Sequence, residues 1–200
     1  MQILHLTHSI KQYLKEILDP NRYRPDVCPQ CQAQCPLIAH GFYSRTLVDV
    51  RFDGTIRVRR YLCRLCRRTV SLLPDFALPY LRCGLTVIRL FLLARLLKGQ
   101  SLRKAADAAE QPRMPYQRGQ FWIRRFQKQA AALCTALASL TTVVAAADFL
   151  QRALRMLEKI GWTKAHRFLF AQLRMHLLGW PRFLVPHGCR VGFPAAPPAS

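Results

Sequence analysis

Apolar residues near the start of the chain recur at intervals of three and four positions. The positions are Ile3, Leu6, Ile10, Tyr13, Leu14 and Ile17. This spacing is typical of one face of an amphipathic helix, so the sequence predicts a helix over residues 2–18. The turn-forming segment Asp19-Pro20-Asn21 is expected to end it.

The pattern then changes to alternation of apolar and polar residues. Residues 48–52 and 55–59 both alternate, which indicates half-buried strands. Asp53-Gly54 separates the two runs, and Asp-Gly readily adopts the positive φ angles that a two-residue hairpin turn requires. The sequence therefore predicts a hairpin that turns at Asp53-Gly54, with residues 69–72 as a third strand.

Helical spacing follows over residues 79–147, with breaks near residues 99–101 and 111–115. Ser101 can cap a helix start, and Pro115 suits the first turn of the next helix. That next helix is expected to turn one apolar face to the core. The core positions predicted for it are Trp122, Phe126 and Leu133.

Two further helices are expected between Asp148 and Trp180, separated at Gly161. Residues 192–200 contain three prolines and three alanines, so this end of the chain is expected to be disordered.

Residues 130–147 carry no charge and nearly reach the length of about 20 apolar residues that a membrane span needs. Their Ala, Ser and Thr content is only weakly apolar, and Lys128 stands just before them. A buried, alanine-rich helix is expected rather than a span. The first six residues lack a charged region and a long apolar run, so export is not expected. We expect a bacterial cytoplasmic protein associated with the nucleoid.

The charge balance of the chain points to a polyanionic partner. Thirty-one Lys and Arg against ten Asp and Glu give a net charge of +21. Hydrophobic residues make up 51% of the chain, which excludes a disordered basic tail. The ten scattered carboxylates leave little material for acid–base or metal-carboxylate catalysis.

Four of the eight cysteines form two Cys-x-x-Cys pairs, Cys28 with Cys31 and Cys63 with Cys66. Each pair places two sulfurs on one tight turn, and two such turns complete a tetrahedral zinc shell. The predicted hairpin lies between them, which is the layout of a zinc ribbon. The alternative, a redox pair, would need a βαβ context that this region lacks. We expect one structural Zn²⁺ with no open ligand position.

The remaining cysteines and several histidines are assigned no metal. Cys35 could replace Cys31, but the two-residue spacer gives the better bite, so Cys35 is expected to be a spare thiol. Cys83 and Cys134 lie in apolar helical stretches and are expected to be core thiols. The spacing of four others fits no ligand pattern, and no second site is expected there; they are His166, His176, His187 and Cys189.

Basic residues cluster at both predicted modules. Six arginines fall within twelve positions around the second cysteine pair: Arg57, Arg59, Arg60, Arg64, Arg67 and Arg68. Arg57 and Arg59 are expected on the same side of their strand. The helical half adds Arg103, Lys104, Arg118, Arg124, Arg125 and Lys128. Arg118 and Arg125 are expected on one outward face of the second helix. Clusters of one sign favour phosphate contact, although a solvated face of a very basic protein is the alternative.

The short helix that starts at Ser101, the break at 111–115 and the next helix together outline a helix-turn-helix. An ordinary helical bundle would look similar. Pro112 and Pro115 also stand where such turns more often carry glycine.

The two modules together resemble the start of bacterial insertion-sequence transposases, over about residues 27–130. The likeness lies in Cys28-Pro29-x-Cys31, in the run from Arg59 to Pro74 around the second pair, and in the segments 101–106 and 121–126. The chain is also similar to a family of short proteins with the same zinc-ribbon start, found near mobile elements. In full-length transposases a catalytic domain with three carboxylates follows these modules. This chain departs from that pattern. Only Asp148 and Glu158 remain after the helical module.

The sequence therefore predicts an α+β protein: a small zinc ribbon, a hairpin plus third strand, followed by an all-helical domain that contains a helix-turn-helix. The expected segments are an N-terminal helix (1–22), the zinc ribbon (23–78), the helix-turn-helix domain (79–147), C-terminal helices (148–191) and a disordered tail (192–200). The expected function is DNA binding without catalysis, in transposition or its regulation. The expected partners are DNA and a transposase or other mobile-element protein, with no membrane and no small-molecule substrate. An adaptor that docks a transposase or an RNA polymerase subunit, or an RNA-binding protein, is the alternative.

Overall fold

The computed structural model describes residues 2–4, 9–34, 37–142 and 145–180. Within these ranges the chain forms a four-stranded sheet and six helices, an α+β fold as the sequence predicts. The strands are β1 (Gln2–Leu4), β2 (Ile38–Asp49), β3 (Phe52–Leu62) and β4 (Thr69–Pro74). The helices are α1 (Ile10–Glu16), α2 (Leu85–Leu92), α3 (Leu102–Ala108), α4 (Tyr116–Leu137), α5 (Phe149–Ile160) and α6 (Trp162–Leu173). A π-helical segment, Leu93–Leu97, continues α2.

The sheet has the order β1-β4-β3-β2. Antiparallel pairing joins β2 to β3 and β3 to β4, which confirms the predicted third strand. The prediction of one helix over residues 2–18 is wrong at its beginning. Residues 2–4 form a strand that pairs in parallel with β4, Gln2 opposite Leu72, and α1 starts only after Ser9. Pairing with β4 satisfies backbone groups that a frayed first helical turn would leave open.

The hairpin between β2 and β3 turns at Val50-Arg51, and the prediction of a turn at Asp53-Gly54 is wrong. Asp49 pairs with Phe52, so Asp53 and Gly54 lie inside β3. Arg51 supplies the positive φ of 58°, and the Asp49 carboxylate accepts a hydrogen bond from the amide of Val50 at 2.7 Å. This register gives the two strands nearly equal length. The segments that carry the two cysteine pairs therefore meet at the open end of the hairpin.

One hydrophobic core lies among the helices, and two smaller ones cover the sheet. Trp122, Phe126 and Leu133 are buried in the helical core, as the sequence predicts. The predicted caps and breaks are confirmed as well: Ser101 caps α3, and Gly161 separates α5 from α6. The alanine-rich helix ends at Leu137 rather than at residue 147.

Asp49 joins the sheet to the helical core. Its carboxylate is buried at the hairpin end and lies against the first turn of α2, which begins after Gly84. A Cβ atom on Gly84 would stand 2.1 Å from the Asp49 carboxylate, so this close approach requires glycine. Burial raises the pKa of the Asp49 carboxyl, although backbone N–H groups of Val50 and Val87 oppose the shift.

Candidate metal centre

Cys28, Cys31, Cys63 and Cys66 meet in one cluster, as their spacing predicts. Their four sulfur atoms all lie within 4.8 Å of one another. The Sγ atoms of Cys28 and Cys66 are 3.8 Å apart, and those of Cys31 and Cys63 are also 3.8 Å apart. A tetrahedron with metal–sulfur bonds of about 2.3 Å has edges of about 3.8 Å. Two of the sulfur–sulfur separations thus match this value, and the four cysteines are positioned to hold one metal ion.

The two Cys-x-x-Cys turns are built alike. In each, the amide of the first cysteine donates to the carbonyl five residues on, Cys28 to Ala33 and Cys63 to Arg68, at 3.0 Å in both cases. In each, the residue after the second cysteine has a positive φ, 59° in one turn and 55° in the other. Two similar turns thus each bring two sulfurs to the site.

The cluster is partly buried, and its surroundings favour a thiolate at Cys63. The side chains of Cys28 and Cys63 are in a hydrophobic core with Leu37, Tyr61 and Val70. The backbone N–H groups of Cys66 and Leu65 stabilise the negative sulfur of Cys63 and lower the pKa of its thiol to about 6.

The Cys66 thiol differs: although the backbone N–H of Arg68 favours its thiolate, desolvation and the neighbouring cysteine sulfurs raise its pKa to about 11. Once deprotonated, four cysteine sulfurs are the donors that a soft divalent cation prefers. Four protein ligands fill a tetrahedral shell, so the site is suited to structural binding rather than catalysis.

Most of the residues predicted to contact phosphates lie on the surface, but they differ in how far they are exposed. The exposed ones are Arg57, Arg64, Arg67, Arg68, Arg103, Lys104, Arg124 and Lys128. Half-buried are Arg60, Arg118 and Arg125. Arg59 is buried.

Arg59 is part of the fold rather than of the surface. Its side chain is only 5% exposed, and its guanidinium donates to the carbonyls of Ile17 and Leu18 at 2.7 Å each. The guanidinium also lies over the ring of Phe42, 3.8 Å from the ring centre. Arg57 is exposed, and its guanidinium lies 5.9 Å from the centre of the same Phe42 ring, so the two arginines lie on one side of β3 as expected. The expectation that both contact phosphates is wrong for Arg59, because the end of α1 covers its side chain.

Arg118 and Arg125 do not form the outward basic face expected on α4. The Arg125 guanidinium donates to the backbone carbonyls of Leu178, Gly179 and Trp180, and so ties the segment after α6 to α4. The Arg118 guanidinium lies 4.0 Å from the sulfur of Cys83. The exposed cations of this helix are Arg124 and Lys128 instead.

The cysteines and histidines that were assigned no metal lie in the interior, as far as they fall within the described residues. Cys83 and Cys134 are buried, as expected of core thiols. His166 and His176 are buried, and desolvation lowers their pKa values to about 3 and about 4. The predictions for Cys35, His187, Cys189 and the tail at 192–200 lie outside the described residues.

Two surface features were not singled out from the sequence. Leu65 is 70% exposed between the ligands Cys63 and Cys66. An apolar residue inside a Cys-x-x-Cys turn is a signal in the sequence that could have identified it. Arg174 and Trp180 lie beside the α4 cations, in a groove described below. Only the return of the chain after α6 brings them there, and no local pattern indicates it.

Comparison with protein families identifies part of the chain. Residues 28–110, from the first metal ligand to the end of α3, match a domain of unknown function (DUF6431). The matched stretch contains all four cysteines. No curated protein and no solved structure matches the chain. In the part of the chain that the structure describes, no helix is long and apolar enough to cross a membrane.

Proposed function

We propose that this protein binds duplex DNA through a surface organised by a structural zinc ion, without catalysing a reaction, and that it acts in transposition or its regulation. The observation that carries the proposal is the position of Arg64, Arg67 and Arg68. All three are exposed on the turn that supplies the ligands Cys63 and Cys66. A metal bound there would fix the backbone of this turn, so the arginines would meet phosphates with little loss of conformational freedom.

Zinc is the metal that the four cysteines suit best, because a closed tetrahedral shell of thiolates is its usual structural site. The hairpin β2–β3 between the two turns, with β4 as third strand, supports the assignment of this half of the chain as a zinc ribbon. Binding of the ion would contribute directly to the free energy of folding, since the site exists only when both turns are folded.

The helices α3 and α4 supply the second part of the proposed surface. Arg103 and Lys104 are exposed in the first turn of α3, and Arg124 and Lys128 are exposed on α4. A short helix, a short connection and a longer helix are compatible with a helix-turn-helix. The resemblance of these segments to transposase starts supports an assignment to mobile-element DNA.

The carboxylates that follow α4 support the non-catalytic assignment. The Asp148 side chain accepts a hydrogen bond from the amide of Gln151 and caps α5. Glu158 accepts two hydrogen bonds from the guanidinium of Arg89 and one from the indole of Trp162. Both groups hold helices in place, whereas two-metal phosphoryl transfer needs carboxylates clustered around shared ions.

A protein-docking function is the second candidate, and the exposure of Leu65 favours it. An apolar side chain at the tip of a rigid turn, ringed by arginines, has the composition of an interface centre with a charged rim. In that case the turn would dock a transposase or polymerase subunit.

Selection from a randomised duplex library separates these functions. The metal-loaded protein is expected to enrich one recurrent DNA sequence and to bind it at least about tenfold more tightly than a scrambled duplex. Enrichment of no sequence would refute specific recognition. Failure to retain any duplex at low salt would refute DNA binding and leave the docking function.

A further inference from the structure

A groove lies between α4 and the segment that follows α6. Its volume is about 1150 Å³, somewhat above the range of about 300–1,000 Å³ typical of small-molecule sites. Phe121, Arg124 and Lys128 line it from α4, and Arg174 and Trp180 line it from the other side. The groove contains none of the cysteine ligands, so it is separate from the metal centre.

The charge of the groove has one sign. Among the described residues that line it, four are Arg or Lys and none is Asp or Glu. Arg124, Lys128 and Arg174 are exposed, and no carboxylate stands within the lining to neutralise them. The complementary ligand is therefore an extended polyanion.

Two aromatic side chains make the groove more selective than a basic patch. Phe121 is 41% exposed, although its ring is large and apolar. The Arg125 guanidinium lies over that ring, 5.5 Å from its centre. Because backbone carbonyls of residues 178–180 hold this guanidinium, the ring has a fixed support on one side.

The opposite side of the groove is fixed as well. The indole N–H of Trp180 donates to the carbonyl of Arg174 at 2.7 Å, and its ring packs against His176 and Phe170. Gly179 has a φ of +71°, and a Cβ atom there would stand 2.8 Å from the side-chain nitrogen of Gln129. The left-handed backbone at this position favours glycine, and the small residue lets the segment lie close to α4.

We propose that this groove binds single-stranded nucleic acid, with the cations on its phosphates and with Phe121 and Trp180 stacked on unpaired bases. The aromatic rings favour a single strand over a duplex as the ligand, because in a duplex the faces of the bases are covered by neighbouring bases. DNA and RNA strands share this chemistry. The inference deepens the proposed nucleic-acid function: it adds a strand with unpaired bases to the duplex contacts of the zinc-ribbon arginines.

The test compares the full-length, metal-loaded protein with Phe121→Ala on three labelled probes: oligothymidylate and oligouridylate of about 20 nucleotides, and a duplex of equal length. Phe121→Ala is expected to weaken oligothymidylate binding about tenfold, the loss of one stacked base. Duplex affinity is expected to change by less than about twofold. The oligouridylate arm shows which sugar the groove prefers; tight binding of either strand supports the proposal.

Phe149→Ala is the matched control. Phe149 is 55% exposed and lies under the guanidinium of Arg152 at 5.5 Å, the same environment as Phe121, but on α5 and outside the groove. It is expected to leave binding of every probe unchanged. Equal losses for both variants, or an equal loss of single-strand and duplex binding in Phe121→Ala, would overturn the proposal.

Tryptophan emission gives an independent readout. The chain has three tryptophans, and Trp122 and Trp162 are only 2% and 4% exposed. Quenching by oligothymidylate is therefore expected to come from Trp180 and to disappear in Trp180→Phe. Persistence of the quenching in that variant would contradict stacking in the groove. Polyglutamate carries negative charge but no bases, so its displacing the strand at equal charge would also contradict stacking. Single-strand binding without any duplex binding would refute the proposed duplex function and leave this inference standing.

Discussion

Two consecutive residues of α4 differ strongly in burial, and truncating each of them tests the helical core. Trp122 is 2% exposed and packs edge-to-face on Phe91, with ring centres 5.4 Å apart. Phe121, the residue before it, is 41% exposed. The two substitutions Trp122→Ala and Phe121→Ala remove an aromatic ring from the same helix at adjacent positions, so helix propensity changes little between them.

The burial of Trp122 sets the expected loss. Replacing a fully buried large aromatic side chain by alanine costs about 3–5 kcal/mol, which combines lost transfer free energy with the cavity left behind. The lost pair with Phe91 places the result towards the upper end. For a domain of this size, about 2–4 °C of Tm is lost per kcal/mol, so Tm is expected to fall by about 6–20 °C. Phe121→Ala is expected to cost about 1 kcal/mol or less, because its ring is 41% exposed and loses one cation–π contact with Arg125.

Urea unfolding followed by circular dichroism measures both free energies of unfolding, with zinc in excess to keep the metal centre constant. An unchanged denaturant slope would show that the two variants unfold from the same native state. A stable Trp122→Ala variant combined with an unstable Phe121→Ala variant would refute the assignment of the helix faces. It would also remove Phe121 from the groove.

Three further outcomes follow from the buried groups. Purified protein is expected to contain one zinc ion per chain, and Cys63→Ser to lose it and to unfold the ribbon; a metal-free preparation with an unchanged melting curve would contradict a structural site. Gly84→Ala is expected to destabilise the fold by about 1–3 kcal/mol, because its Cβ would stand 2.1 Å from the Asp49 carboxylate; an unchanged urea midpoint would show that this junction relaxes freely. Burial lowers the pKa values of His166 and His176 to about 3 and about 4, so the unfolded chain binds more protons below pH 6.5 and stability falls as the pH drops through that value. At pH 5 each histidine is expected to lower the free energy of unfolding by about 2 kcal/mol, and His166→Phe should halve the combined loss. Equal dependence of stability on pH in the variant and the wild type would contradict the burial of His166 as a neutral group.

The metal centre could be predicted from the sequence because its ligands come in local pairs, and each Cys-x-x-Cys turn is built by hydrogen bonds within six residues. Helix starts at Ser101 and Asp148 were predictable for the same reason, since a cap depends on its own side chain and the next three residues. The failures depend on distant parts of the chain. Residues 2–4 form a strand only because β4 offers an edge, and Arg59 is buried only because the end of α1 presents two carbonyls to it.

The hairpin turn shows the same limit within a local motif. Asp-Gly is the stronger turn signal, yet the chain turns at Val50-Arg51. The turn position is constrained at the other end of the hairpin, where Ile38 and Leu62 must pair for the two cysteine turns to meet. A nonlocal requirement thus overrides a local preference.

The salt dependence of duplex binding tests the central claim most directly, that arginines on the metal-bound turn contact phosphates. Each contact contributes about −0.9 to the slope of log K against log salt. Arg67→Gln/Arg68→Gln is expected to flatten the slope by about two, whatever the DNA sequence. Lys11→Gln/Lys15→Gln removes the same charge from exposed positions on α1 and is expected to leave the slope unchanged. Equal slopes for the two double variants would contradict the account.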